Sequence, residues 1–565
     1  MMEAAPADHA TEYAAGPALK LTERQRWEIL GALFVGLFLS ALDQTIVGTA
    51  LPRIVTELGG LEYYVWVTTA YLLTATISGP FYGKLSDLYG RKPMLMIGIG
   101  IFIVGSILSA LSQEMWQLVV ARGIQGLGAG ALFPVSLAII GDLFTPAERG
   151  KYQGIFGGVF GIAALIGPAL GGFLTENLSW HWIFLINVPI GLAALVVIGR
   201  VMPAVRRPGL THSLDYLGAA VFTLGVSMLL IGLTNKQTGD WTDPTVGGLI
   251  VAGLATLAVF LVIESRAREP IVPLGLWRIR TYAASMVAVF LLAVGFFGAV
   301  VFLPLWFQTV QDSSPTQSGY QILPLLVGLI SSSIVAGLLV SRTGRYKVIL
   351  VVSVAVLGVG LALMTQLRAD TPLPLLWVWM FITGVGIGPT LSVYTIVIQN
   401  AVSMRDLGTA TSNLTFFRQV GGSVGLAVVG TVFGTTLREE APRQLVAAGV
   451  PPDFVDQFAA SGLGGSGLTA VGGDLGQLIL DALPAEVRPI VEPLIPAIIG
   501  AIHEAISIAV ANTFVVGVVA AAAALIATAL VREIPLRSTT TTEIERRSAG
   551  DRDAGQLVEA AVTID

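Results

Sequence analysis

Three ionisable side chains interrupt long apolar runs in this chain: Asp43, Arg122 and Arg418. A charge in the middle of a bilayer costs ~2.5–3.5 kcal/mol on insertion scales, so each such residue is a functional candidate. Asp43 lies about fourteen residues into its run, roughly 21 Å deep at 1.5 Å per residue. Arg122 lies about seven residues into its own run from the opposite side, roughly 11 Å down. In a hydrocarbon slab of ~30 Å the two share a similar height, where they can pair or face one water-filled cavity. A carboxylate at such depth feels two opposed influences: loss of water favours its protonated form, and a nearby arginine favours its charged form. Its proton occupancy can therefore follow the opening and closing of the site. That chemistry makes Asp43 a candidate proton carrier, with Arg122 tuning it. The other reading is a static pair that fixes helix packing, and replacing Asp43 with Asn separates the two. Arg418 stands beside Gln419 and after Phe416 and Phe417. It can hold an anionic group or an unwound carbonyl in a cavity, or serve only as a structural hydrogen-bond donor. Gln44, Asn187, Gln308, Asn413, Phe417 and Gln419 complete the candidate cavity set. Each polar one alone is more often a helix–helix contact than a ligand group.

The elements that must carry these residues are membrane helices. Of 565 residues, 54% are apolar and only 12% charged, and mean hydropathy is +0.78. Soluble domains carry about 25% charged residues, so water is not the main solvent here. Uncharged apolar runs predict an all-α integral membrane protein of fourteen helices, near 29–51, 62–82, 93–111, 115–140, 153–174, 182–200, 215–233, 246–263, 282–307, 321–340, 348–366, 374–397, 408–433 and 505–531. Each run is close to the ~20 residues that a crossing needs. The 65 glycines sit largely inside these runs, where small residues let helices approach closely. No removable signal peptide precedes the first run, and with no cysteine there is no disulfide or thiol chemistry. Alternating the runs from a cytoplasmic N-terminus puts 24 of the 32 Lys and Arg on the cytoplasmic side, six outside and two within the membrane. The positive-inside rule then places both ends in the cytoplasm.

The chain also repeats itself. Gly83–Lys92 after the second run aligns with Gly337–Lys347 after the tenth, and Ile124–Gly130 in the fourth echoes Ile382–Gly388 in the twelfth. Gly150 and Gly167 map by the latter offset onto Gly408 and Gly425. Helices 1–6 therefore repeat as 9–14, the two-bundle plan of alternating-access carriers. The expected layout is an N-tail over 1–27, a six-helix bundle over 28–202, inserted helices 7–8 over 203–264, and a second bundle over 265–535. An extracytoplasmic segment at 434–503 forms a helical hairpin or lid, or a weakly ordered loop, and residues 536–565 form a disordered cytoplasmic tail. In the Gly83–Lys92 loop, Asp87 can accept from helix ends or from Arg91, so that Gly83, Asp87, Gly90, Arg91 and Lys92 latch one conformation. Other chemistries lack their residues: there is no phosphate-binding G-x-x-x-x-G-K-[ST] loop. The histidines at 9, 181, 212 and 503 show no metal-ligand spacing. No cofactor, metal or nucleic-acid partner is expected.

These motifs resemble the major facilitator superfamily. Gly83–Lys92 is similar to its loop between helices 2 and 3, and Arg122–Gly128 to its helix-4 motif associated with proton coupling. Gly167, Pro168, Gly171 and Gly172 resemble the helix-5 motif of antiporters. Leu42–Val47, Trp180–Gly191 and Arg418–Gly422 resemble the fourteen-helix drug:proton antiporters of the EmrB/QacA type. Gly48 and His181 depart from that pattern, which favours Asn and Arg there. The resemblance implies a monomeric carrier in the cell membrane that exchanges protons for amphipathic organic compounds, multidrug in range. With no acid in the tenth run, a dication lacks a second counter-charge, and neutral or monocationic lipophilic substrates are expected. Phe296, Phe297, Trp306, Phe307 and Phe417 can supply apolar contact. A dedicated exporter of a metabolite or lipid is the alternative, and a non-transporting receptor or scaffold a remote one.

Overall fold

The computed structural model describes residues 22–59, 63–144, 146–203, 215–236, 239–267, 270–403, 406–450, 455, 488 and 492–536. A helix covers each of the fourteen apolar runs. In chain order they are α1 (Glu23–Leu58), α2 (Tyr64–Tyr89), α3 (Arg91–Ala110), α4 (Met115–Leu143), α5 (Pro146–Asn177), the single turn α6 (Trp182–Leu185), α7 (Asn187–Val201), α8 (Tyr216–Asn235) and α9 (Leu249–Glu264). There follow α10 (Arg280–Thr309), the short α11 (Pro315–Gln321), α12 (Leu323–Thr343), α13 (Lys347–Met364), α14 (Leu373–Ala401), α15 (Leu407–Ala447) and α16 (Ile495–Leu530). Among the described residues, eleven of these segments are long and apolar enough to cross a membrane, α6 and α7 counting as one.

Local chemistry sets the boundaries. Helix α1 starts at Glu23, ahead of the expected apolar run, because Thr22 and Gln25 form a reciprocal cap: Gln25 N donates to Thr22 Oγ1 at 3.3 Å, and Thr22 N to Gln25 Oε1 at 2.9 Å. Gly90, at φ 99°, turns the chain sharply between α2 and α3, a conformation that L side chains rarely adopt. The sixth run, expected as one helix, breaks at Ile186 into α6 and α7. Pro189 explains the break: it has no N–H to donate to the Leu185 carbonyl, and its ring crowds that carbonyl.

Packing repeats as the sequence does. In the first half α4 packs on α2 and α3, while α1 packs on α5 and α7; in the second, α14 packs on α12 and α13, while α10 packs on α15 and α16. The echoing glycines make the same approaches. A methyl on Gly126 would strike the Tyr71 carbonyl of α2 and one on Gly128 the Phe102 amide of α3. Their counterparts Gly384 and Gly386 would strike the Leu325 carbonyl of α12 and the Leu357 amide of α13. Between the halves, α5 lies on α12 and α2 on α15. The inserted α8 and α9 pack on each other, and Phe222 of α8 meets Phe81 of α2 and Phe416 of α15. Among the described residues one large apolar core fills the second half, while the core of the first is divided.

Helix α15 departs from expectation. The run was expected to end near 433, where the extracytoplasmic segment begins, but α15 continues unbroken for 41 residues, about 62 Å. Leu437, Ala441 and Leu445 on this extension are buried in the same core as Ile498 and Ile502 of α16. Most of 451–491, where the rest of the expected hairpin falls, lies outside the described residues, as do the expected tail after 536 and nearly all of the one before 22. Leu445 is 0% exposed, so Leu445→Asp buries an unpaired carboxylate. The apparent Tm in detergent is expected to fall by about 3–5 °C, at roughly 1 °C per kcal/mol for a chain this large. Thermal unfolding followed by intrinsic fluorescence checks this.

Candidate functional site

Asp43 and Arg122 meet. Arg122 Nη1 donates to Asp43 Oδ2 at 2.6 Å, and both side chains are at most 1% exposed. The two predicted residues sit at the centre of a wider net. Arg122 Nη1 also reaches Gln125 Oε1 at 2.6 Å, and its Nε reaches the Val67 carbonyl at 3.4 Å. The guanidinium lies 4.2 Å from the Tyr71 ring centroid, a cation–π contact that strengthens when water is absent. The other carboxylate oxygen, Asp43 Oδ1, accepts from Gln125 Nε2 at 2.8 Å and from Asn187 Nδ2 at 3.1 Å. Ser106 Oγ ties the two amides together, accepting from Gln125 at 3.2 Å and Asn187 at 3.0 Å while donating to the Phe184 carbonyl at 2.9 Å. Four helices thus meet in the net around one carboxylate: α1, α4 and the start of α7 at the carboxylate itself, and α3 through Ser106.

Helix geometry explains the convergence. Gln125 follows Arg122 by three residues and so shares its face of α4. Asn187 stands at the break between α6 and α7, and Ser106 follows Gly105, whose missing side chain lets α3 lie against the Gln125 backbone. Sequence reasoning had put Asn187 in a substrate cavity; it is buried in the Asp43 net instead. Gln125 and Ser106 were missed. The i, i+3 spacing from Arg122 was the available signal for Gln125. Nothing in the apolar run of α3 distinguished Ser106 from Ser109.

The latch also forms, with a partner the sequence did not announce. Arg91 pairs with Asp87 at 2.6 Å and, through Nε, with Asp142 of α4 at 2.9 Å. Asp87 reaches across to the other half: Oδ1 accepts from Gly408 N at 3.1 Å, and Oδ2 from Thr409 N at 2.8 Å and Thr409 Oγ1 at 2.9 Å. Helix α15 begins at Leu407, and its own N-cap residue, Asp406, makes no side-chain cap bond. Asp87 therefore caps a helix of the opposite half, satisfying N–H groups that a helix start leaves free and placing a negative charge at its positive end. Gly83 makes this approach possible, since a methyl there would overlap the Ser412 side chain and lie 2.9 Å from the Gly408 carbonyl. Deeper along the same seam, Gln153 of α5 donates to Gln399 of α14 at 3.0 Å, and Gln399 donates to the Leu137 carbonyl of α4 at 3.1 Å. The halves are closed on each other at the end that carries Gly83–Lys92. Lys92 stays out of the latch and donates to the Gly199 carbonyl at 2.7 Å, holding α3 to α7.

The helix-5 residues lie where α5 packs on α1. A methyl on Gly167 would overlap Thr45, whose hydroxyl donates to the Ala163 carbonyl at 3.1 Å. Gly171 is buried and Gly172 half-buried; the Pro168 side chain, like that of Phe297, lies outside the described set. The remaining cavity candidates scatter. Gln44 hydrogen-bonds Tyr71. Gln308 donates to Ser318 at 2.9 Å beside α11, and Asn413 donates to Tyr282 of α10 at 3.1 Å, so both act between elements. Phe417 meets the Trp277 ring at 5.4 Å. Gln419 and Arg418 are half-buried. Trp180 donates to Glu57 at 2.9 Å, and with Arg53 as the main cause this holds the Glu57 carboxyl below the ordinary glutamate range. A cavity of 310 Å³ lined by Asp215, Val262, Ile263, Arg266 and Ala267 opens at the end of α8 and α9, away from these groups. No group of three or more potential metal ligands occurs among the described residues.

A multi-pass helical chain in two repeated halves, with a buried acid–arginine net in one and a charged clamp between them, defines a class of membrane carriers. The sequence profile described as the Major Facilitator Superfamily matches residues 33–426, and the chain belongs to that superfamily. It is 35% identical over 411 residues to the multidrug transporter protein MdtP of Bacillus subtilis (strain 168), covering 73% of this chain and 76% of that one. It is 34% identical over 411 residues to multidrug resistance protein 3 of the same organism, covering 72% and 79%. The solved proton:xylose symporter XylE shares the fold at a TM-score of 0.53 and 15% identity, over 78% of this chain and 94% of that one. The protein is a transporter rather than an enzyme.

Proposed function

We propose that this chain is a proton-coupled exporter of lipophilic or amphipathic organic compounds, moving protons in and substrate out by alternating access. Asp43 carries the reading, because four helices meet in the net around its carboxylate, in the membrane-spanning part of the first half. A proton on Oδ2 breaks the Arg122 bond. Arg122 then keeps Gln125 Oε1, the Val67 carbonyl and the Tyr71 ring, so its charge is not left without partners. Every member of the net is at most 1% exposed, which keeps water from it in this arrangement.

The remaining architecture follows the same proposal. The chain crosses fourteen times with both ends cytoplasmic, as a monomer in the cell membrane. Units 28–202 and 265–535 rock about the α5–α12 and α2–α15 seams, with 203–264 inserted between them. The closed end at Gly83–Lys92 faces the cytoplasm, so the arrangement described here is closed inside. Multidrug breadth is supported by the relatives named multidrug transporters. The test is efflux of a dye and drug panel from proteoliposomes under an imposed proton gradient. Gradient-dependent movement of several unrelated compounds is expected, and movement of none would contradict the reading.

A further inference from the structure

Arg418 is the intramembrane charge that the proton net does not use. It lies eleven residues into α15, about 17 Å from the start of the helix. It makes no hydrogen bond or ion pair among the described residues. Arg122, by contrast, is neutralised by Asp43. Arg418 therefore has no acidic partner among the described residues.

Its face of α15 can be read from neighbours at 100° per residue. Gly421 and Gly425 pack on the Phe290 and Val294 backbone of α10. Thr411, on the adjoining strip, accepts from Gln399 of α14 at 3.2 Å. Arg418 falls between these two directions, 60° or less from each of Gly421, Gly425 and Thr411, and so faces the interior between α10 and α14. Phe417, 100° back from it, lies on Trp277. Arg418 as a residue is half-buried.

We infer that Arg418 is a substrate-recognition residue, and that the exporter favours amphipathic compounds bearing a single acidic group, a carboxylate or sulfonate, over neutral or cationic ones of the same shape. The inference rests on the efflux reading and narrows its substrate class. An unpaired guanidinium presents a fork of donors that fits two oxygens of one acid group, and it repels a cationic guest. One consequence is energetic. Exchange of one anion outward for one proton inward moves two elementary charges, whereas a neutral guest moves one. Each charge is worth about fifty-fold in the limiting gradient per 100 mV.

The probes are dansyl-phenylalanine and 11-(dansylamino)undecanoic acid, each beside its primary amide. Binding is read by dansyl fluorescence on the purified full chain, and export is read in proteoliposomes. Wild type is expected to bind the acids about ten- to a hundredfold more tightly than the amides, the range of a charge-assisted hydrogen bond. Arg418→Gln should remove that preference by weakening acid binding while leaving the amides within about twofold, and Arg418→Lys should fall between. Equal affinity for acid and amide in wild type would overturn the inference, as would an Arg418→Gln loss shared equally by both. Export of neutral or cationic dyes without export of the bound acids would overturn it while leaving the efflux reading intact. Export of no compound at all would count against the efflux reading, and the binding comparison would still decide the role of Arg418.

Discussion

Asp43→Asn abolishes proton-driven efflux, with at least about a hundredfold loss in rate under a proton gradient, while the protein still inserts and still binds its substrates. The argument is one of donors and acceptors. Asp43 Oδ2 faces Arg122 at 2.6 Å, and Oδ1 faces the amides of Gln125 and Asn187 at 2.8 and 3.1 Å. Asparagine keeps the shape but brings one acceptor and one donor. Its oxygen turns to Arg122, and its NH₂ donates to Asn187 Oδ1, otherwise unpartnered, when that amide rotates, while Gln125 keeps Arg122 and Ser106. The variant therefore folds with an uncompensated Arg122 charge but no titratable group. Arg122→Ala is the contrasting change. It leaves a buried carboxylate without its counter-ion, a cost that Asp43 relieves by taking up a proton, so transport is expected to be lost with folded yield kept. Efflux assays and size-exclusion profiles of both variants, side by side, separate coupling from stability.

Asp87→Asn is expected to lower transport by about ten- to a hundredfold through a different route. Asp87 accepts four bonds: from Arg91 and Gly408 N on one oxygen, and from Thr409 N and Oγ1 on the other. An asparagine must set its NH₂ against one of these donor pairs. Each buried donor left unsatisfied costs about 1–3 kcal/mol, and the cap on α15 exists only while that end is closed. The closed arrangement is therefore the one that loses stability, and the equilibrium moves toward the open one. A charge-reversed Asp87/Arg91 double variant will not restore function, because Arg91 also holds Asp142 at 2.9 Å. The chain has no native cysteine, so a single cysteine reports without background. Thr415→Cys, two turns into α15, should react slowly with a membrane-impermeant maleimide added from the latch side. Reaction should be several-fold faster in the presence of Asp87→Asn.

These two sites differ in how far they could be read from sequence. Asp43 and Arg122 stood out because charge is expensive in an apolar run, and the depth argument put them at one height. That height allowed either a pair or a shared water-filled cavity, and the structure shows the pair. The bonds from Gln125 and Ser106 depend on how α3 and α4 rotate against each other, which the glycines at 105 and 128 set through close approach; sequence gives the glycines but not the rotation. The Asp87–Arg91 pair was legible from its i, i+4 spacing. The cap on α15 was not, because it joins residues more than 300 positions apart and depends on the conformational state. The repeat was legible in the same way as the acids: Gly126 and Gly128 recur as Gly384 and Gly386 because both pairs meet the same neighbouring helices. The repeat is imperfect where it matters for the latch. Asp87 aligns with Ser341 in the second half, so the clamp is one-sided. The length of α15 escaped because polar residues after 433 read as the end of a membrane run, whereas the helix continues on packing with α16.

Proton release on substrate binding tests the central claim most directly. Purified protein in weakly buffered detergent solution, with a pH-sensitive dye, receives a compound that it exports. Wild type is predicted to release up to one proton per substrate bound near the middle of its titration range, and Asp43→Asn to bind the same compound with no release. Equal release from both proteins would contradict the account and move the coupling site away from α1.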